Sequence, residues 1–94
     1  MHLNIITKPP QTQAILNFLG NSLSLVQMLL EHPKINVNLR GMDGYTALIR
    51  ACGHERIEYV RMLLNHPDIN VNLATYYGTT ALTFAIRYVF MNYN

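Results

Sequence analysis

Ninety-four residues, half of them hydrophobic and 13% charged, make one small folded domain at most and exclude a disordered chain. Seven Lys and Arg against five Asp and Glu leave a net charge of +2, too mild and too scattered to call for nucleic acid or a membrane surface as partner. The single cysteine, Cys52, excludes an internal disulfide framework and a multi-cysteine zinc site, and it fits a reducing compartment.

The first ten residues, Met1 to Pro10, lack the apolar run and small-residue cleavage site of a secretory signal. No apolar stretch approaches the roughly 18 residues that span a bilayer. A soluble chain in a cytoplasm-like compartment is the expectation. Self-similarity organises the rest of the chain. Residues 26–39 recur as 60–73, each run carrying Met-Leu-Leu, a His-Pro pair (His32-Pro33 and His66-Pro67) and Ile-Asn-Val-Asn-Leu. The offset is 34, and aligning 24–51 on 58–85 gives 16 identities in 28 positions. One supersecondary unit is therefore used more than once, each copy needing a neighbour to bury its apolar face.

The first unit, about 12–42, is degenerate, and Gly20-Asn21 can turn the chain there only if one extra residue precedes the next helix. In the second, about 43–76, Gly44 is a turn residue and Thr46 a helix cap. Leu48, Ala51 and Cys52 then share one face of a short helix. After Gly53-His54-Glu55-Arg56, a second helix is expected with Ile57, Val60, Leu63 and Leu64 inward and Glu58, Arg61 and Asn65 outward. His66-Pro67 ends it, because the residue before a proline is pushed out of helical conformation. The alternation Ile69-Asn70-Val71-Asn72 reads as an extended loop with its valine inward. The third unit, about 77–94, starts a helix at Thr80 that is expected to run to about Tyr88, and the sequence supplies no second helix after it.

Asp43-Gly44-Tyr45-Thr46-Ala47-Leu48, then Ala51-Cys52, the helix 57–64 and Val71-Asn72 resemble the ankyrin repeat, over about residues 12–90. The resemblance implies an all-α, ankyrin-type solenoid of helix–turn–helix units joined by hairpin-like loops. The His-Pro-x-Ile-x-Val-Asn loop is similar to repeats of intracellular bacteria, large DNA viruses and protists, and delivery into a host would follow from a bacterial source of that kind. Three departures from the family pattern stand out. Ala47 and Ala81 replace the proline after the capping threonine, and Ile49 and Thr83 replace the histidine after that. Glu55 stands where the family has glycine, at a cost of about 1 kcal/mol if held at positive φ.

Little in the chain reads as catalysis. Cys52 and His54, two apart on a helix, point to different faces, and the cysteine occupies the family's small packed position. His32 and His66 sit on stacked helices about 8–10 Å apart, too far to share a zinc ion, and at helix C-termini they suit the dipole. No acidic pair, phosphate loop or ligand-spaced Cys/His cluster is present, so no metal, cofactor or enzyme activity is expected. Asn36, Asn38, Asn70 and Asn72 are expected to bond loop backbone between units.

What remains is a module that binds another protein. The family resemblance implies contacts at the hairpin tips, here Met42, Asp43 and Tyr45 and then Tyr76, Tyr77 and Thr79, and on the first helices at Gly53, His54, Arg87 and Tyr88. Further expectations concern the C-terminal end. Ile86, Val89, Phe90 and Met91 lack a partner helix in the sequence, so either residues 88–93 fold back over the second unit, the chain is a fragment of a longer array, or this apolar end pairs with another copy or a partner. The alternative to a binding module is a truncated or degenerate fragment of a longer ankyrin array with no binding role of its own.

Overall fold

A computed structural model of the chain describes residues 23–92. The first helix expected of the opening unit and its Gly20-Asn21 turn lie outside them. The described residues form four helices, α1 (Leu23–Leu30), α2 (Ala47–Gly53), α3 (Ile57–Leu64) and α4 (Ala81–Asn92). They contain no strand, only an isolated antiparallel bridge between Ala74 and Thr80. α2 is central, packing on both α3 and α4, while α1 packs on α3. The core runs along this stack rather than around one centre: Val26 and Val37 at one end, Leu48, Ile49, Ala51, Tyr59 and Leu63 in the middle, Ala81 at the other.

The second unit folds as its residues dictate. Thr46, in extended conformation, accepts the Ile49 amide on its hydroxyl at 3.2 Å and so caps α2. The helix ends in a Schellman-type closure, with Arg56 N–H on the Ala51 carbonyl at 2.9 Å and Glu55 N–H on that of Cys52 at 3.2 Å. This geometry requires a left-handed residue, and Glu55 takes it at φ 57. α3 therefore begins two residues later and runs back alongside α2.

The third unit lacks that closure. The positions one period after Gly53-His54-Glu55 are Arg87-Tyr88-Val89. A β-branched valine at positive φ is a steric outlier, so α4 continues through Asn92 instead of stopping at about Tyr88. Residues 88–92 extend the helix and do not fold back over the second unit. At its start, Thr80 and Thr83 cap each other reciprocally, each hydroxyl accepting the other's amide at 3.3–3.4 Å. Thr83 thus acts as the return partner of a capping box.

Two inward assignments are corrected. In α3 the buried residues are Tyr59 and Leu63, one turn apart, with Val60 and Met62 packed beside them; Ile57 and Leu64 are about half exposed, Leu64 at 50%. α3 is apolar at most positions, so the stripe that faces inward is decided by where α1 and α2 lie. Val37 is buried as expected of the loop valine, whereas Val71 is 45% exposed. Val37 belongs to a loop tied to the next one: Asn38 donates to the Asp68 carbonyl at 2.8 Å and accepts the Asn70 amide at 2.8 Å. No described loop stands beyond Val71 to do the same. Asn36 and Asn70 bond within their own loops, accepting the amides of Asn38 and Asn72.

His32 Nδ1 accepts the Lys34 amide at 3.0 Å, and His66 Nδ1 accepts the Asp68 amide at 3.1 Å. Each ring thus closes the turn after its helix by accepting a backbone amide two residues on.

Candidate functional site

Two hairpins project from the stack, one before α2 and one before α4. In the first, Gly41 N–H reaches the Tyr45 carbonyl at 2.8 Å and Gly44 N–H the Gly41 carbonyl at 3.0 Å. In the second, Thr75 and Gly78 make the equivalent bonds at 2.8 and 2.9 Å. Gly44 and Gly78 sit at φ 82 and 83, the left-handed position that a tight hairpin assigns to glycine. The side chains between them point outward because no core lies above the turns. Met42 is 84%, Tyr76 67% and Tyr77 89% exposed.

The hairpins are tied to each other. Arg40 donates from Nε to the Gly44 carbonyl of its own hairpin at 3.4 Å and from Nη2 to the Ala74 carbonyl of the next. Its guanidinium also lies over the Tyr76 ring, 5.4 Å from the centroid. Tyr76 N–H reaches the Asp43 carbonyl at 3.4 Å. Thr75, buried at the second turn, accepts the amides of Tyr77 and Thr79 on its hydroxyl, both at 3.2 Å. The exposed tips are therefore mounted on a cross-bonded base, which lowers the entropy lost when they are ordered against a partner.

Beside the hairpins, α2 and α4 present a run of aromatic rings and guanidinium groups. Asp43 anchors it, accepting the Tyr45 amide at 3.0 Å and Arg50 Nη2 at 2.9 Å. Arg50 lies over the Tyr45 ring at 4.3 Å, and its buried Nε has no acceptor. Tyr45 meets Phe84 with centroids 6.2 Å apart, and Arg87 covers the Phe84 ring at 5.3 Å. Phe84 packs against the backbone of Gly53, where an added Cβ would touch its ring at 3.7 Å. His54 is exposed and Tyr88 half-buried.

The residues expected at the site thus divide into two groups. Met42 and Tyr77 stand exposed at the tips, Tyr76 is exposed with Arg40 over its ring, and Thr79 is half-buried at the stem. Asp43, Tyr45, Arg87 and Gly53 join the stacked run along α2 and α4. Sequence reasoning missed Arg40, Arg50 and Phe84. The signal for two of them lay in the repeat alignment, since Arg50 and Phe84 occupy the same position one period apart.

Elsewhere, a groove of about 580 Å³ lies between the two His-Pro turns, with Leu30, Ile35, Met62, His32 and His66 in its walls. Both imidazoles have their Nδ1 engaged by backbone, and among the described residues no group of three or more His, Cys, Asp or Glu could hold a metal ion. Cys52 is half-buried, and burial pushes its thiol pKa up, which reduces the thiolate needed for nucleophilic chemistry at neutral pH. No described helix is long and apolar enough to cross a membrane.

A protein-family model described as ankyrin repeats, in three copies, matches residues 13–93. No curated protein and no solved structure matches the chain significantly.

Proposed function

The chain belongs to the ankyrin-repeat family, whose members generally serve as protein–protein interaction modules and are typically non-catalytic, and from that premise we propose that it binds a protein partner through its hairpin tips and the adjoining surface of α2 and α4, without catalysing a reaction. The observation that carries this reading is the pair of exposed tyrosines, Tyr76 and Tyr77, on a hairpin cross-bonded to its neighbour. Tyrosine and arginine are enriched among the residues that dominate interface energies. Tyr77 in particular is too exposed to have a core role. Met42, Asp43, Tyr45 and Thr79 extend the surface along the hairpins, and His54, Arg87 and Tyr88 along the helices.

The test is a double substitution, Tyr76→Ala with Tyr77→Ala, compared with the parent chain by circular dichroism and by affinity capture followed by mass spectrometry. The expected outcome is unchanged helicity and loss of the proteins captured by the parent. Capture that survives the double change refutes the assignment to these tips, and a parent chain that captures nothing favours the alternative, a truncated or degenerate fragment of a longer ankyrin array with no binding role of its own.

A second reading concerns self-association. Leu82, Ile86 and Val89 lie at helical spacing along α4 and are exposed, as are Phe90 and Met91, while Phe84 packs on Gly53 of α2. An exposed apolar face of this kind favours association. Sedimentation velocity over a concentration series is expected to show the mass rising with concentration, and a constant monomer mass overturns this reading.

A further inference from the structure

We propose that the α2–α4 surface receives an acidic segment of a protein partner, with an Asp or Glu carboxylate of that segment seated on Arg87. The proposal rests on the reading of this surface as the partner-binding face and names the chemistry that it takes.

The chain's five acidic residues are Glu31, Asp43, Glu55, Glu58 and Asp68, so none follows Asp68 and none belongs to α2 or α4. Two of the arginines near the hairpins have partners within the fold. Arg40 bonds the carbonyls of Gly44 and Ala74, and Arg50 is neutralised by Asp43 at 2.9 Å. Asp43 is itself engaged twice, by Arg50 and by the Tyr45 amide. Arg87 is different. It is exposed, and among the described residues its guanidinium lies over the Phe84 ring at 5.3 Å with no hydrogen bond or ion pair.

That contact prepares the group rather than satisfying it. Stacking uses the face of the guanidinium and leaves the N–H donors around its edge unengaged. These donors match a carboxylate in bidentate fashion, the strongest pairing arginine makes with an acidic side chain. The Phe84 ring, fixed between Tyr45 and Gly53, holds the guanidinium in one region, so less side-chain entropy is lost on binding. Beside it, Tyr88 and Phe84 are half-exposed, offering apolar area to the neighbours of the incoming carboxylate. A positive site on a surface whose acidic side chain, Asp43, is already paired with Arg50 attracts negative charge and repels a second basic surface, which sets specificity as much as affinity.

The experiment is selection of a short-peptide display library on the full chain and, in parallel, on the Arg87→Gln variant, whose helicity is first matched to the parent's by circular dichroism. The expected result is enrichment of Asp and Glu in peptides selected by the parent, absent from those selected by the variant. A selected peptide should bind Arg87→Gln about tenfold more weakly, with Arg87→Lys between the two and added salt narrowing the difference. Peptides without acidic bias, or an acidic bias that survives in Arg87→Gln, overturn the proposal and leave the binding-face reading standing. Displacement of the peptide by a single-stranded oligonucleotide at equal concentration also overturns it, reassigning Arg87 to phosphate. Failure of the parent to select any peptide overturns both this proposal and the reading beneath it.

Discussion

Replacing Leu63 by alanine is expected to lower stability by about 3 kcal/mol, within the range for truncating a buried leucine, while Leu64→Ala changes it by less than about 1 kcal/mol. The two leucines are adjacent, and both have counterparts one period earlier, Leu29 and Leu30. Leu63 is 1% exposed in the core between α2, α3 and α1, and Leu64 looks half outward. Truncation at 63 leaves a cavity that the short helices around it can close only in part, whereas truncation at 64 removes area already in contact with water. Against a total stability of about 5–15 kcal/mol for a domain, the first change is large. Urea unfolding at constant slope should show the midpoint of Leu63→Ala well below that of Leu64→Ala. Equal midpoints would mean that α3 turns a different stripe inward.

Gly44→Ala is expected to be the second severe change, at about 3 kcal/mol, against about 1 kcal/mol for Gly78→Ala. Both glycines hold φ near 82°, and an alanine at either position carries the left-handed penalty of about 1–2 kcal/mol. Their surroundings separate them. A Cβ on Gly44 would stand 2.7 Å from the Tyr76 backbone nitrogen and 2.9 Å from Tyr76 Cδ1, so the second hairpin would have to move off the first. Around Gly78 there is nothing within 4 Å. Thermal melts of the two variants check this directly. The Gly44 variant should also lose the tie from Tyr76 N–H to Asp43, visible as faster amide exchange at Tyr76.

Much of the fold is legible in the sequence because it is local. The capping role of Thr46 needs only a hydroxyl before a short apolar helix, and the structure realises it. The strained turn at Glu55 follows from the family resemblance, which has glycine at that position, and Glu55 holds φ 57 there. The family and its helical solenoid are legible through the resemblance carried by Asp43 to Leu48, Ala51-Cys52, the helix 57–64 and Val71-Asn72, in spite of three departures from the usual pattern. The hidden features depend on how units lie against one another. Tyr59 is buried and Ile57 exposed because α1 and α2 cover one of two equally apolar stripes. Arg40 is one of several scattered charges until the second hairpin supplies the Ala74 carbonyl and the Tyr76 ring. The stacked run from Arg50 to Arg87 crosses between helices 34 residues apart, so no local pattern announces it. The extra length of α4 is readable in principle, since Val89 stands where a left-handed residue is needed, yet the repeat period by itself points to an end near Tyr88.

The tie between the hairpins has a consequence for how such a chain can grow. Arg40 holds the first hairpin to the second, and the residue one period later is Ala74, which has no side chain to reach onward. The joint is thus encoded in one copy only, and it has a direction. Duplicating the second unit, residues 43–76, in place would add a further hairpin but not the Arg40 clasp, so the copies are not interchangeable parts. A lineage lengthening this protein by duplication would have to reinvent a joint at position 74 before the new copy could sit as firmly as the old.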